Sequence, residues 1–199
     1  MLGYYHEVAI EAGVDEAGRG PLAGSVFAAA VVFAPDYRNS EINDSKQLSE
    51  HKREELRLVI ERDARAWAVA SCSPEEIDRL NILQASICAM HRALDKLALR
   101  PEAVIVDGNK FLPYRALPFK TIVGGDGKYL AIAAASILAK TYRDAEMRLL
   151  DKEYPAYGWA DNKGYPTARH REAIACYGAT PYHRKSFCLL PDKQMDLPF

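Results

Sequence analysis

The stretch VAIEAGVDEAGRGPLAGSVFAAAVVF, residues 8–33, decides how this chain folds. Residues 8–15 form a short apolar segment and residues 24–33 a second one, rich in valine, with the turn Ala17-Gly18-Arg19-Gly20-Pro21 between them. The pattern reads as two strands joined through a glycine-bearing turn. Residues 64–71 (ARAWAVAS) supply a third strand, so the chain opens as a meander. Residues 49–63, between the second strand and the third, carry Leu56, Val59 and Ile60 at helical spacing on an otherwise charged surface. That spacing predicts an exposed amphipathic helix.

Beyond the meander, helices and strands alternate. Ser73-Pro74-Glu75-Glu76 is a helix start, with a capping serine, proline in the first turn, and a glutamate placed to reach back to the cap amide. Leu83, Ile87, Met90, Leu94 and Leu97 then give one core-facing stripe that ends before Pro101. Residues 103–107 (AVIVD) read as a buried strand finishing on an acid, and residues 119–123 as a weaker strand. Residues 129–150 form a long alanine-rich helix, and residues 167–177 a further one closed by Gly178. Strands first, then strands alternating with helices, imply an α/β chain built on a central mixed sheet of five strands.

The chain has 199 residues, room for one core and an appendage, since domains commonly run to roughly 100–200 residues. Its 26 Lys and Arg against 27 Asp and Glu leave a net charge of -1, which excludes a histone-like polycation but not nucleic-acid binding, because the sum hides the distribution. The apolar run at residues 25–34 falls far short of the ~20 residues that cross a bilayer. The N-terminus, with Glu7 and Glu11, lacks the features of a signal peptide, so a cytoplasmic protein is expected. Cys72, Cys88, Cys176 and Cys188 never approach C-x-x-C spacing and are expected to be reduced thiols.

Four acids carry the chemistry. Asp15 is expected to end the first strand and Asp107 the fourth, at the end of a sheet where ligands commonly sit. On neighbouring strands their carboxylates would lie roughly 5 Å apart, repelling each other unless cations join them. Strict alternation sends Glu16 to the opposite face, so it can share the site only where Gly18 and Gly20 break the strand. Asp126, in Gly124-Gly125-Asp126-Gly127, comes from a loop before the alanine-rich helix. Oxygen donors without a His or Cys cluster suit Mg²⁺ or Mn²⁺. Two such ions ~4 Å apart serve phosphoryl transfer.

The block from Gly13 to Gly24, GVDEAGRGPLAG, resembles the opening signature of the ribonuclease HII family. Further matches in register are Asp44-Ser45-Lys46, Val106-Asp107-Gly108, the run ASILAK at residues 135–140 with Arg143-Asp144, Gly164-Tyr165, and His183-Arg184-Lys185-Ser186-Phe187. The resemblance implies an RNase H-like fold with a helical C-terminal extension. It also implies endonucleolytic cutting of the RNA strand of RNA/DNA hybrids and of duplex DNA 5' to embedded ribonucleotides. The family's metal ligands fall on Asp15, Glu16, Asp107 and Asp126, with two Mg²⁺ or Mn²⁺ ions during catalysis. Asp144 competes for the fourth place, but its spacing from Lys140 favours a helical ion pair.

A nuclease of this kind must sense one 2'-hydroxyl. In Gly18-Arg19-Gly20 the missing side chains let the backbone approach a sugar while Arg19 faces a phosphate. The resemblance assigns these three residues to the 2'-OH and its phosphate, and Tyr165 to the junction nucleotide; Pro166, where relatives often have glycine, is expected to stiffen the Tyr165 loop. Residues 162–187 hold Lys163, Arg169, Arg171, Arg184 and Lys185 against Glu172 alone, which predicts a basic, phosphate-facing surface. Lys46 and Arg143 are further phosphate candidates. Gln194-Met195-Asp196-Leu197-Pro198-Phe199 resembles the motif that docks replication and repair proteins on bacterial sliding clamps, with Gln194 first and Leu197 and Phe199 as anchors.

The expected organisation is a catalytic core at 1–153, a basic helical extension at 154–190 and a tail at 191–199, working as a monomer away from membranes. Two other readings of the acids are a catalytically silent hybrid-binding module and a metal-dependent phosphatase for small phosphoesters. Intact carboxylates argue against the first. The second leaves the GRG turn and the basic stretch unexplained.

Overall fold

The computed structural model describes residues 1–190, and the tail with Gln194, Leu197 and Phe199 lies outside them. Five strands form one sheet in the order β3-β2-β1-β4-β5: β1 Glu11–Ala17, β2 Val26–Val32, β3 Ala66–Cys72, β4 Ala103–Asp107 and β5 Phe119–Ile122. The first three pair antiparallel as the expected meander; β4 pairs parallel with β1 after a helical crossover, and β5 pairs parallel with β4 across a connection at residues 108–118 that forms no helix. The fold is α/β with a mixed five-stranded sheet, as the strand pattern implied.

Six helices accompany the sheet among the described residues: α1 Glu50–Asp63, α2 Pro74–Leu80, α3 Ile82–Asp95, α4 Leu130–Glu153, α5 Trp159–Asn162 and α6 Ala168–Tyr177. The stretch from Ser73 to Leu97, read as one helix, is divided between α2 and α3, and Leu83, Ile87, Met90 and Leu94 all lie in α3. Asn81 adopts φ 68 between them, closing α2 and capping α3 by accepting from the amides of Leu83 and Gln84. Asparagine tolerates the left-handed region and is a strong cap, so a polar residue inside an apolar pattern became a hinge.

Alternation along the strands sorts the core into two layers. Ala12, Val14, Ala28, Val104 and Val106 face α2 and α3, whereas Ala29 and Val31 face α1 and the alanines of α4. The approach of α4 to β1 is close: a Cβ on Gly13 would stand 2.5 Å from the Ile132 nitrogen, so no larger residue fits there. That contact presses the first turns of α4 across the sheet beside Asp15. A third cluster joins Leu22, Ala23 and Met147 to Tyr157, Trp159, Ala173 and Ile174 and fastens residues 154–190 onto the turn after β1. No helix among the described residues is long and apolar enough to cross a membrane.

Candidate active site

The strand ends build the site. The last β1–β4 pair is Val14 with Val106, so the next residues along, Asp15 and Asp107, stand side by side on the face covered by α4. Here the structure corrects the expected boundary. Asp15 lies inside β1, which runs on to Ala17 because β2 keeps pairing with it as far as Phe27. Glu16 follows the alternation and points toward α3. It reaches the acids through the gap left where β4 stops, and not through a break in its own strand.

A cleft of about 300 Å³ opens at this gap, lined by Asp15, Glu16, Asp107, the Gly18-Arg19-Gly20 turn, Lys46, Arg143 and Tyr165. Asp107 Oδ1 accepts from the Gly125 amide at 2.7 Å, tying β4 to the 3-10 turn Gly125–Gly127 that presents Asp126. Asp126 is buried and receives the Lys46 ammonium at 3.2 Å. Asp15, Glu16 and Asp107 line the cleft, and Asp126 stands near Asp107 with its charge already met by Lys46.

Their electrostatics are strained. Burial, then the charges of Glu16 and Asp107, push the Asp15 carboxyl well above its ordinary range. Burial and Asp107 raise Glu16 as well, against the pull of Arg19, whose guanidinium lies 3.2 Å away. Burial and the charge of Asp126 raise Asp107. Buried carboxylates this close together resist full ionisation unless a cation joins them. Among the described residues no three acidic, histidine or cysteine side chains stand close enough to hold one ion together. The fit to a hard divalent cation therefore lies in donor type and charge: oxygen donors that repel one another beside an open cleft.

The cations behave differently from the sequence expectation. Arg184, counted toward a phosphate-facing surface, is fully buried and donates to the carbonyls of Gly18 at 2.6 Å, Arg19 at 3.0 Å and Gly24 at 3.0 Å. Its guanidinium holds the GRG turn from behind and, being fully buried, does not project toward substrate. Arg143 is also buried. It donates to the Lys163 carbonyl and lies against Gly18, with the Tyr165 ring 5.6 Å from its guanidinium carbon. Its Nε and Nη1 have no hydrogen-bond partner, so it lines the cleft wall without projecting as a surface charge. Lys163 is likewise turned inward, to the Ala160 carbonyl. The basic stretch is thus partly internal scaffolding. Of the cations predicted for the site, Lys46 and Arg19 remain accessible at the cleft, and Tyr165 is 42% exposed.

Residues overlooked as site residues also line the cleft: Ser45, Arg53, Ser136 and Lys140. Ser136 lines the cleft with Asp15 and meets the Ser45 hydroxyl at 2.8 Å. Lys140 pairs with buried Asp144 at 2.7 Å, as its helical spacing implied. Both serines stand in the motifs at residues 44–46 and 135–140, and only Ser136 interrupts an apolar run.

The ribonuclease HII family model matches residues 12–190. Ribonuclease HII of Parabacteroides distasonis is 63% identical over the full length of both chains. The crystal structure of the ribonuclease H2 from Pyrococcus horikoshii superposes with a TM-score of 0.78 at 28% identity, covering 90% of this chain and 94% of that one. The RNase HII in a PCNA complex from Archaeoglobus fulgidus superposes with a TM-score of 0.75 at 29% identity, covering 94% and 98%. The chain therefore belongs to the ribonuclease HII family and is an enzyme, a ribonuclease H.

Proposed function

We propose that this cleft hydrolyses the RNA strand of RNA/DNA hybrids and cuts duplex DNA on the 5' side of embedded ribonucleotides, leaving 3'-hydroxyl and 5'-phosphate ends. The observation that carries the reading is the set of mutually repelling carboxylates, Asp15, Glu16 and Asp107, at the mouth of a cleft walled by the GRG turn. Asp15, Glu16, Asp107 and Asp126 would hold Mg²⁺ or Mn²⁺. When bound, two such ions activate a water and neutralise charge on the scissile phosphate and the leaving oxygen.

The chain's own residues do the rest. Gly18 adopts φ 94, and the carbonyls of Gly18 and Arg19 are pinned by Arg184, so the turn offers its backbone to a ribose hydroxyl in a fixed geometry. Arg19, beside Glu16, is placed to exchange that partner for a phosphate. Tyr165 presents its ring to the nucleotide at the cleft, and Lys46 adds charge to its lining. Separate domain roles for residues 1–153 and 154–190 belong to this reading, as do action in the cytoplasm as a monomer and docking of Gln194, Leu197 and Phe199 on a sliding clamp. The PCNA complex of the archaeal relative supports the docking idea.

The test is cleavage of three duplexes, one with a single internal ribonucleotide, one an RNA/DNA hybrid and one all DNA, each with Mg²⁺, Mn²⁺ or chelator. Cutting of the first two with metal and of neither with chelator is expected. Equal cutting of the all-DNA duplex, or full activity in chelator, overturns the reading.

A further inference from the structure

Two imidazoles and an indole lie together in the core of the C-terminal extension, and no step described above uses them. His170, His183 and Trp159 are each fully buried. Their hydrogen bonds fix every proton. The Thr180 amide donates to His183 Nδ1 at 2.9 Å, so the His183 proton sits on Nε2, which faces His170 Nε2 at 3.2 Å. Trp159 Nε1 donates to that same His170 Nε2 at 2.9 Å. With two donors aimed at Nε2, His170 must carry its hydrogen on Nδ1, which points at the Tyr165 carbonyl 2.9 Å away. The polar chain runs one way, from Thr180 through both rings to the backbone of Tyr165.

That backbone needs holding. Lys163 and Gly164 adopt φ 49 and φ 77, two consecutive left-handed residues of which one carries a side chain, and Pro166 contributes no amide hydrogen. Arg143 takes the Lys163 carbonyl, the Leu22 amide takes that of Gly164, and His170 together with the Thr167 amide takes that of Tyr165. A pair of apolar rings would fill the same core without the desolvation penalty of two imidazoles. What they cannot supply is a directed donor at this carbonyl.

We propose that His170 is a positioning residue: fixed in its Nδ1–H tautomer by His183 and Trp159, it sets the Tyr165 peptide and so the angle at which the tyrosine ring stands over the cleft. The proposal rests on the reading of Tyr165 as a substrate contact. It assigns His170 no contact with substrate.

The test is steady-state cleavage of a duplex with one embedded ribonucleotide by the full chain with Mg²⁺. His170→Leu should raise KM roughly fivefold, the worth of one hydrogen bond, with kcat within about twofold. His170→Asn, whose amide can donate to the same carbonyl, should restore most of the loss. In a Tyr165→Ala background the His170→Leu change should add nothing, because the residue it orients is gone. A full fivefold loss persisting in that background, or a fall in kcat at constant KM, overturns the proposal. If Tyr165→Ala alone leaves KM unchanged, the substrate role of Tyr165 fails as well, which separates the two claims. Should His170→Leu not fold, the imidazole ¹⁵N spectrum of the unaltered protein decides: protonated Nδ1 at His170 and protonated Nε2 at His183 are expected, and the opposite tautomer at His170 overturns the proposal.

Discussion

Arg184 lays its guanidinium against the Gly18 carbonyl, 2.6 Å away, across 166 positions of sequence. The contact couples the extension to the turn after β1, and burial together with the charge of Arg143 lowers the Arg184 pKa to about 9. A cation this costly to bury persists because three carbonyls depend on it. Arg184→Met should therefore destabilise the protein by about 3 kcal/mol, since buried acceptors are left without donors, and Arg184→Lys by less. Urea unfolding checks this. A loss under about 1 kcal/mol for Arg184→Met would mean the carbonyls find other partners.

The same residue shows where sequence reading stops. Apolar alternation and capping signals predicted all five strands and the helices that carry the site, because those signals are local. Asp15, Glu16 and Asp107 could be picked out for the same reason: each is an acid at the end of an apolar run of sequence, although β1 itself continues to Ala17. Whether a cation faces solvent or folds inward depends on tertiary packing, and a charge count over residues 162–187 cannot distinguish Arg169 from Arg184. Glu16 was placed by the right rule and the wrong cause. Alternation does turn it away from Asp15, but it is the stopping point of β4, a property of a different strand, that lets it into the cleft.

Asp15 should trade stability for activity. Its carboxyl is raised by burial, Glu16 and Asp107, so without metal its charged form opposes folding, and stability falls as pH rises through the raised value. Asp15→Asn is then expected to raise the metal-free Tm at neutral pH. Cleavage should drop by more than the roughly 10–100-fold that loss of a metal ligand's outer partner costs. Added Mg²⁺ should raise the Tm of the unaltered protein far more than that of the variant. Normal turnover in Asp15→Asn, or an equal Mg²⁺ response in both, would remove Asp15 from the site.

Gly13 is expected to be the most restrictive glycine in the sheet. A Cβ there meets the backbone of Ala131 and Ile132, which belongs to a helix and cannot yield as a side chain would. Gly13→Ala should cost about 3 kcal/mol as α4 is pushed off β1. Gly127→Ala, with open space around its Cβ, should stay within about 0.5 kcal/mol. Similar thermal midpoints for the two variants would show that α4 slides easily.

Acid sensitivity should be traceable to His183. Burial, then the charge of His170, lowers its pKa to about 4, against 6.5 for a free imidazole. Between these values the unfolded chain binds a proton that the folded chain refuses, so the contribution is complete above pH 6.5 and is lost as pH falls toward 4. At pH 5 the loss is about 2 kcal/mol. The raised carboxyls of Asp15, Glu16 and Asp107 act in the opposite sense, and Glu76, held at about 2 chiefly by its hydrogen bond to Arg92, titrates below the window. Comparison with His183→Gln removes these terms because both proteins share them. Urea midpoints at pH 7.5 and pH 5 should therefore fall more steeply for the unaltered protein than for the variant, and parallel falls would show that His183 does not titrate in this window.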